Sequence, residues 1–213
     1  MKTSLKGILA IINEEALVLS TYRDAAGVLT IGVGHTASAG GMAPKPRGRI
    51  TIEQAIALFA ADLARFERRV SAAVKRSLTQ HEFDALVSFD FNTGAIAGGT
   101  VDDKLDLGDI EGAMATLQQY DKAGGRKLTG LDRRRDTEEA MFRHGKYPET
   151  NSIKVYDTWP GKVRLAPVSS LDLSAFAGVQ TPAAPAPLDI PARPRGLLAA
   201  LIDLMLAIFK RRT

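Results

Sequence analysis

The chain has 213 residues, 45% of them hydrophobic and 24% charged, and no cysteine. These are ordinary values for a globular domain, so a packed core is expected, while a disulfide framework and a cysteine-ligated metal are excluded. The net charge of +4 is confined to one end: residues 1–150 balance 20 basic against 20 acidic side chains, residues 151–192 balance three against three, and residues 193–213 set five basic residues against Asp203 alone. That distribution describes a neutral domain with a basic tail rather than a generally basic surface.

The first 20 residues, MKTSLKGILAIINEEALVLS, begin with lysines and an apolar run at 7–12. The run is short, is followed by two glutamates and lacks a small-residue cleavage site, so a secretory signal is not expected. No stretch reaches the roughly 18 uncharged apolar residues of a membrane span. Residues 5–15 fit a helix with Leu5, Ile8, Ile11 and Ile12 along one side. At about 100° per residue, Glu15 falls near that apolar face and Glu14 points away from it. A carboxyl group among apolar side chains loses hydration and holds its proton to higher pH, the condition a general acid needs. The plainer alternative is a glutamate at a helix end that reaches solvent.

A hairpin follows in STYRDAAGVLTIGVG, with β-formers on both sides of a glycine-containing turn. Asp24 lies nine residues after Glu15, and Thr30 six after Asp24. Across the turn, these two side chains are expected on one side of neighbouring strands. A covered Glu, a more exposed Asp and a hydroxyl facing a gap suit hydrolysis of a glycosidic bond: the Glu protonates the leaving oxygen while the other two hold a water.

Residues 40–49, GGMAPKPRGR, read as a loop. Helices are expected over roughly 51–74, 79–91, 100–107, 109–122 and 130–144. Capping boxes at Thr51 (TIEQ), Thr79 (TQHE) and Thr100 (TVDD) place three of the starts, and Gly145 closes the last helix. HEFDA at 81–85 starts like a zinc-protease helix, but Ala85 stands where a second His is required, leaving His81 as an exposed first-turn residue. GVGHTAS lacks the third glycine and following helix of a dinucleotide loop. Three histidines without a matching Ser or Cys setting give a nucleophilic triad no support. His35 has two readings, a brace hydrogen-bonded to a carboxylate behind the hairpin or a contact to substrate. Asn92, before Thr93-Gly94, either caps a helix end or touches substrate. The basic group at 126–135 lacks interleaved aromatics and belongs to a neutral domain, which favours a solvated helix face over nucleic-acid binding.

Beyond Tyr147-Pro148, residues 149–180 show short β-branched pieces around IKVYDTW without a helical period, and are expected to form an irregular extension. Residues 181–195 hold five prolines and read as an extended linker. In residues 196–213, LLAALIDLMLAIF has Asp203 as its single polar member and precedes Lys210, Arg211 and Arg212. An apolar-basic helix is expected there, either lying at an anionic membrane surface or packing on protein.

The early segment resembles the phage-type lysozymes, endolysins that use a Glu-Asp-Thr triad. Their signature has Glu, eight residues, Asp, five residues, Thr, and then Gly-x-Gly-His-Thr. Glu15, Asp24, Thr30 and GVGHT at 32–36 match it, which selects Glu15 over Glu14. The likeness continues through LTQHEFDALVSFDFNTGAIAGGT at 78–100 and through residues 105–142, so it covers about 1–148. Ala16 departs from the glycine usual after the family's Glu and fits a helix running one residue further.

The resemblance implies an α+β, mostly helical, lysozyme-like fold in residues 1–148, with a small hairpin-bearing lobe, a larger helical lobe and a cleft between them. It implies an endolysin acting on peptidoglycan at the β-1,4 bond between N-acetylmuramic acid and N-acetylglucosamine, without metal or cofactor. Glu15 would be the general acid, and Asp24 and Thr30 would orient water. His35 and Asn92 are candidate substrate contacts, Asn92 because its region lines the cleft in the resembling family. Such an enzyme would be made in the host cytoplasm and reach the cell wall on release. The rival readings are a lytic transglycosylase using Glu15 alone, and a wall-binding or membrane-perturbing protein on the same scaffold.

Overall fold

The computed structural model describes residues 1–24, 27–98 and 100–177. The linker expected at 181–195 and the helix expected over 196–213 lie outside the described residues. Among the described residues no helix is long and apolar enough to cross a membrane.

Helix α1 (Leu5–Glu14) begins where the Ser4 hydroxyl accepts the Gly7 N–H, a side-chain cap on a free backbone donor. It ends one residue earlier than the sequence suggests. Glu15 is the C-cap, with an extended backbone (φ −102°, ψ 158°), and Ala16 has already left the helix. The chain continues into β1 (Leu17–Arg23), β2 (Leu29–Gly32) and the short β3 (His35–Thr36), an antiparallel meander. The β1–β2 register pairs Val18 with Gly32 and Tyr22 with Thr30, so β1 spends four residues where β2 spends two. That irregularity bends β1. Residues 48–50 complete part of its edge: the Thr21 N–H donates to the Gly48 carbonyl at 2.8 Å, and the Ile50 N–H to that of Leu19 at 2.9 Å.

The helical part follows as α2 (Ile52–Ala73), α3 (Gln80–Thr93), α4 (Val101–Asp106), α5 (Ile110–Gln118) and α6 (Thr129–His144), with a two-residue ribbon β4–β5 (Lys122–Ala123, Arg126–Lys127) before α6. Thr51 and Thr79 form the capping boxes expected of them. Thr100 does not; its own backbone N–H donates to Asp102 Oδ1 instead. Gly94 and Gly145 close α3 and α6 at φ 66° and 59°, backbone that side-chain-bearing residues adopt at a cost.

Helix α3 is the axis of the molecule: all nine residues from Phe83 to Phe91 are buried. Its polar residues must then find partners inside the protein. Asp84 accepts hydrogen bonds from the Ser4 N–H, the Gln80 amide and the Tyr147 hydroxyl, at 2.9, 2.8 and 2.7 Å. Gly7 permits this approach, since a Cβ there would lie 2.6 Å from the Asp84 carboxyl carbon. Asp90 accepts the Ile96 N–H and pairs with Arg69 at 3.1 Å. His81, expected to be exposed, is half-buried and ties α3 to the Met141 and Phe142 carbonyls of α6.

Residues 149–177 are more ordered than the sequence suggests. Strands β6 (Ser152–Tyr156) and β7 (Val163–Pro167) form a hairpin, followed by the short α7 (Ser174–Ala177). β6 runs parallel to β1, pairing Leu17 with Val155 and Val18 with Tyr156, and the sheet order is β3-β2-β1-β6-β7. The alternation in SIKVY puts Ile153 and Val155 into the main core beside Leu17 and Leu19. That core continues through Ile56, Phe59, Leu86 and Phe89 to Met141, giving the α+β, mostly helical architecture expected.

Candidate active site

Glu15 is placed by a helix end and fixed by an ion pair. Arg134 Nη1 donates to Glu15 Oε1 at 2.7 Å, and the Arg134 side chain is only 2% exposed. The rest of the guanidinium is also occupied: Nε meets Glu138 Oε1 at 3.2 Å and Nη2 the Ser88 carbonyl at 3.4 Å. Arg135 grips the same Glu138 at 2.7 and 2.9 Å and lies over the Phe89 ring, while the Ser88 hydroxyl donates to Glu138 Oε1 at 2.8 Å. Burial works against the charge on Arg134, but Glu15 and then Glu138 outweigh it and hold the guanidinium pKa above its ordinary value. For Arg135, burial and then repulsion from Arg134 leave the pKa below its ordinary value.

Two expectations change here. The basic group at 126–135 is not one solvated face, since Arg134 and Arg135 are among the largest fully buried side chains and Arg133 alone of the three is exposed. They belong to the stripe Leu131, Arg134, Arg135, Glu138, Met141, Phe142, whose helical spacing is legible once charged residues are admitted to it. Glu14, expected in solvent, is covered as well as Glu15, at 14% against 13% side-chain exposure. Partners rather than burial separate them, because Glu14 meets only the 73%-exposed Arg133, at 3.7 Å. Glu15 stands against a buried guanidinium rather than among apolar side chains, and its direction is set by the cap instead of the helical phase.

Asp24 sits in the turn after β1. Its Oδ1 accepts the Val28 N–H at 2.9 Å, its backbone N–H donates to the Val28 carbonyl at 3.0 Å, and its carbonyl accepts the Gly27 N–H at 2.9 Å. The Thr30 hydroxyl donates to that same Val28 carbonyl at 3.1 Å. Thr30, expected to face a gap, is instead 1% exposed, with its hydroxyl turned onto the hairpin backbone.

Between the two carboxylates in sequence, β1 carries Tyr22. Tyr22 is the register partner of Thr30. Burial pushes its pKa well above the ordinary value, and Glu15 and then Asp24 add to the rise. Sequence reasoning passes over Tyr22, although it lies two residues before Asp24 and pairs across from Thr30.

His35 is 1% exposed, with Nδ1 2.9 Å from Asp62 Oδ2 and Nε2 2.6 Å from the Met42 carbonyl. Both ring nitrogens are committed within the protein, so His35 braces the meander against α2, the first of its two readings. Asn92 is half-buried inside the last turn of α3, where Gly94, not Asn92, is the cap. Among the described residues no cluster of three or more His, Asp or Glu is arranged to hold a metal ion.

The phage lysozyme family model matches residues 12–138, which hold Glu15, Asp24, Thr30, Tyr22 and Arg134. The endolysin of Salmonella phage P22 is 38% identical over 144 residues, spanning 67% of this chain and 98% of the relative. Among solved structures, the endolysin from Escherichia coli O157:H7 phage FAHEc1 aligns with a TM-score of 0.63 at 35% identity, covering 70% of this chain and 98% of that one. The muramidase domain of SpmX from Asticaccaulis excentricus aligns at 0.60 and 32% identity, covering 67% and 97%. These matches bring the lysozyme-like α+β fold with them, and the chain belongs to the phage lysozyme family.

Proposed function

We propose that this endolysin-type enzyme hydrolyses the β-1,4 bond between N-acetylmuramic acid and N-acetylglucosamine in the bacterial cell wall, with inversion at the anomeric carbon. Glu15 gives its proton to the leaving glycosidic oxygen, and Asp24, with Thr30 behind it, holds the water that attacks from the opposite face of the sugar. Arg134 orients Glu15 and stabilises the carboxylate left after proton transfer. Asn92 contributes a polar contact to the bound glycan. The assignment is carried by one observation: two carboxylates that flank β1 are held in different ways, one by a buried guanidinium and one by a turn amide.

Replacing Glu15 by Gln keeps the shape of the side chain and removes the transferable proton. General acid catalysis is typically worth about 10² to 10⁴ in rate, so Glu15→Gln is expected to remove lysis of outer-membrane-permeabilised cells, followed as loss of turbidity. Glu14→Gln breaks a 3.7 Å ion pair with the exposed Arg133, a contact worth about 0–1 kcal/mol, and is expected to lyse like the parent. Equal losses from the two substitutions would overturn the assignment of the acid.

A further inference from the structure

Strands β6 and β7 begin after the last residue that the family matches, yet β6 lies beside β1, the strand that links Glu15 to Asp24. The sheet they share has two different faces. Leu17, Leu19, Ile153 and Val155 enter the main core, while Val18, Tyr22 and Tyr156 form a separate cluster against which Ala16 and Trp159 pack. That second cluster joins residues of the family's own hairpin to residues of the appended one. The Trp159 ring lies 4.9 Å from Tyr156, nearly perpendicular to it, and 6.2 Å from Tyr22. Trp159 remains half-exposed while both tyrosines are buried. Tyr22 is in turn the register partner of Thr30 and lies two residues before Asp24, and Ala16, which packs on the same cluster, directly follows Glu15.

An aromatic cluster built on the strand that joins two carboxylates has an evident occupant when the substrate is a polymer of pyranose rings. A pyranose presents a face of C–H groups, which carry partial positive charge, and an aromatic ring offers a negative face to meet them. The indole N–H adds a donor for an acetamido or hydroxyl oxygen. We infer that Trp159, seated on Tyr22 and Tyr156 of the sheet, forms a saccharide subsite that extends the Glu15–Asp24 site along the glycan strand. This inference rests on the glycosidase reading above and adds to it a binding element from residues beyond the family match.

Trp159 is the single tryptophan of the chain, so its fluorescence reports on this place alone. The full-length Glu15→Gln protein, which binds without cutting, is titrated with soluble glycan strands freed of stem peptides, and separately with the stem peptide alone. The subsite predicts a saturable change in tryptophan emission with the glycan, at the same midpoint that calorimetry gives, and no change with the peptide. In the same background Trp159→Ala is expected to weaken glycan binding about tenfold, and Trp159→Phe to recover most of it. Calorimetric binding of the glycan with silent Trp159 emission would overturn the subsite and leave the glycosidase reading intact, and a response to the peptide alone would overturn the saccharide assignment. Lysis that survives Glu15→Gln in the otherwise native chain would instead strike the glycosidase reading itself.

Discussion

Glu15 is held by a cluster of side chains from two helices, α3 and α6, whereas Asp24 is held by the backbone of its own turn. Around Glu15, Arg134, Glu138, Arg135 and Ser88 form a buried ionic cluster joining α1, α3 and α6. Around Asp24, Val28 supplies a donor to the carboxylate and an acceptor for the backbone N–H. The first arrangement makes the proposed general acid inseparable from the core of the protein. The second allows the chemistry of a side chain to be altered with little effect on the fold.

The largest expected effect tests the first half of that contrast. Removing one partner of a buried ion pair leaves the other charged and unpaired, at about 3–5 kcal/mol. Arg134→Ala strands Glu15, while Glu138 keeps Arg135 and the Ser88 hydroxyl, so its unfolding free energy in a denaturant titration is expected to fall toward the lower end of that range. A loss below about 1 kcal/mol, the value of an exposed pair, would erase the distinction between the two regions.

Asp90 is a carboxylate buried with less compensation. Burial pushes its carboxyl up to about 6 from 3.8, against the opposing pull of Arg69, the Ile96 N–H and Arg65. The folded protein therefore binds this proton more tightly than the unfolded chain. The contribution of Asp90 to stability is fully present below about pH 4 and is lost as pH rises to about 6, a change on the order of 2–3 kcal/mol. Asp90→Asn keeps the acceptor for the Ile96 N–H and has no proton to lose, so stability measured from pH 4 to 7 is expected to lose this downward component. An unchanged profile would show that Arg69 already holds Asp90 ionised across the range.

The smallest structural effect belongs to Asp24→Asn. The Asn carbonyl still accepts the Val28 N–H, so stability is expected to stay within about 0.5 kcal/mol of the parent. Activity, in contrast, is expected to fall about 10²-fold or more as water activation is lost. A melting temperature that fell in step with activity would place Asp24 in the scaffold instead.

The same contrast explains what the sequence discloses. Local rules are legible in it: the Thr51 and Thr79 capping boxes, the Gly145 cap and the β1–β2 hairpin all form where neighbouring residues require them. The turn that holds Asp24 is local, and its spacing to Thr30 is readable. Arg134 reaches Glu15 across 119 positions of sequence, and a row of arginines looks solvated until the fold closes over it. The helical phase that favours Glu15 over Glu14 belongs to a helix that stops one residue short of Glu15. β6 has a readable strand pattern, yet nothing within 149–180 announces that its partner is β1. Thr30 is found by spacing while the direction of its hydroxyl, set by the Val28 carbonyl, is not.

The most direct test of the division of labour between Glu15 and Asp24 is the anomeric configuration of the first product. Fresh digests of soluble glycan strands by the full-length protein are followed by NMR before mutarotation mixes the anomers. Attack by a water held at Asp24 on the face opposite the leaving oxygen predicts a reducing-end N-acetylmuramic acid that appears first as the α-anomer. First appearance of the β-anomer, or of a 1,6-anhydro ring with no water incorporated, would contradict it.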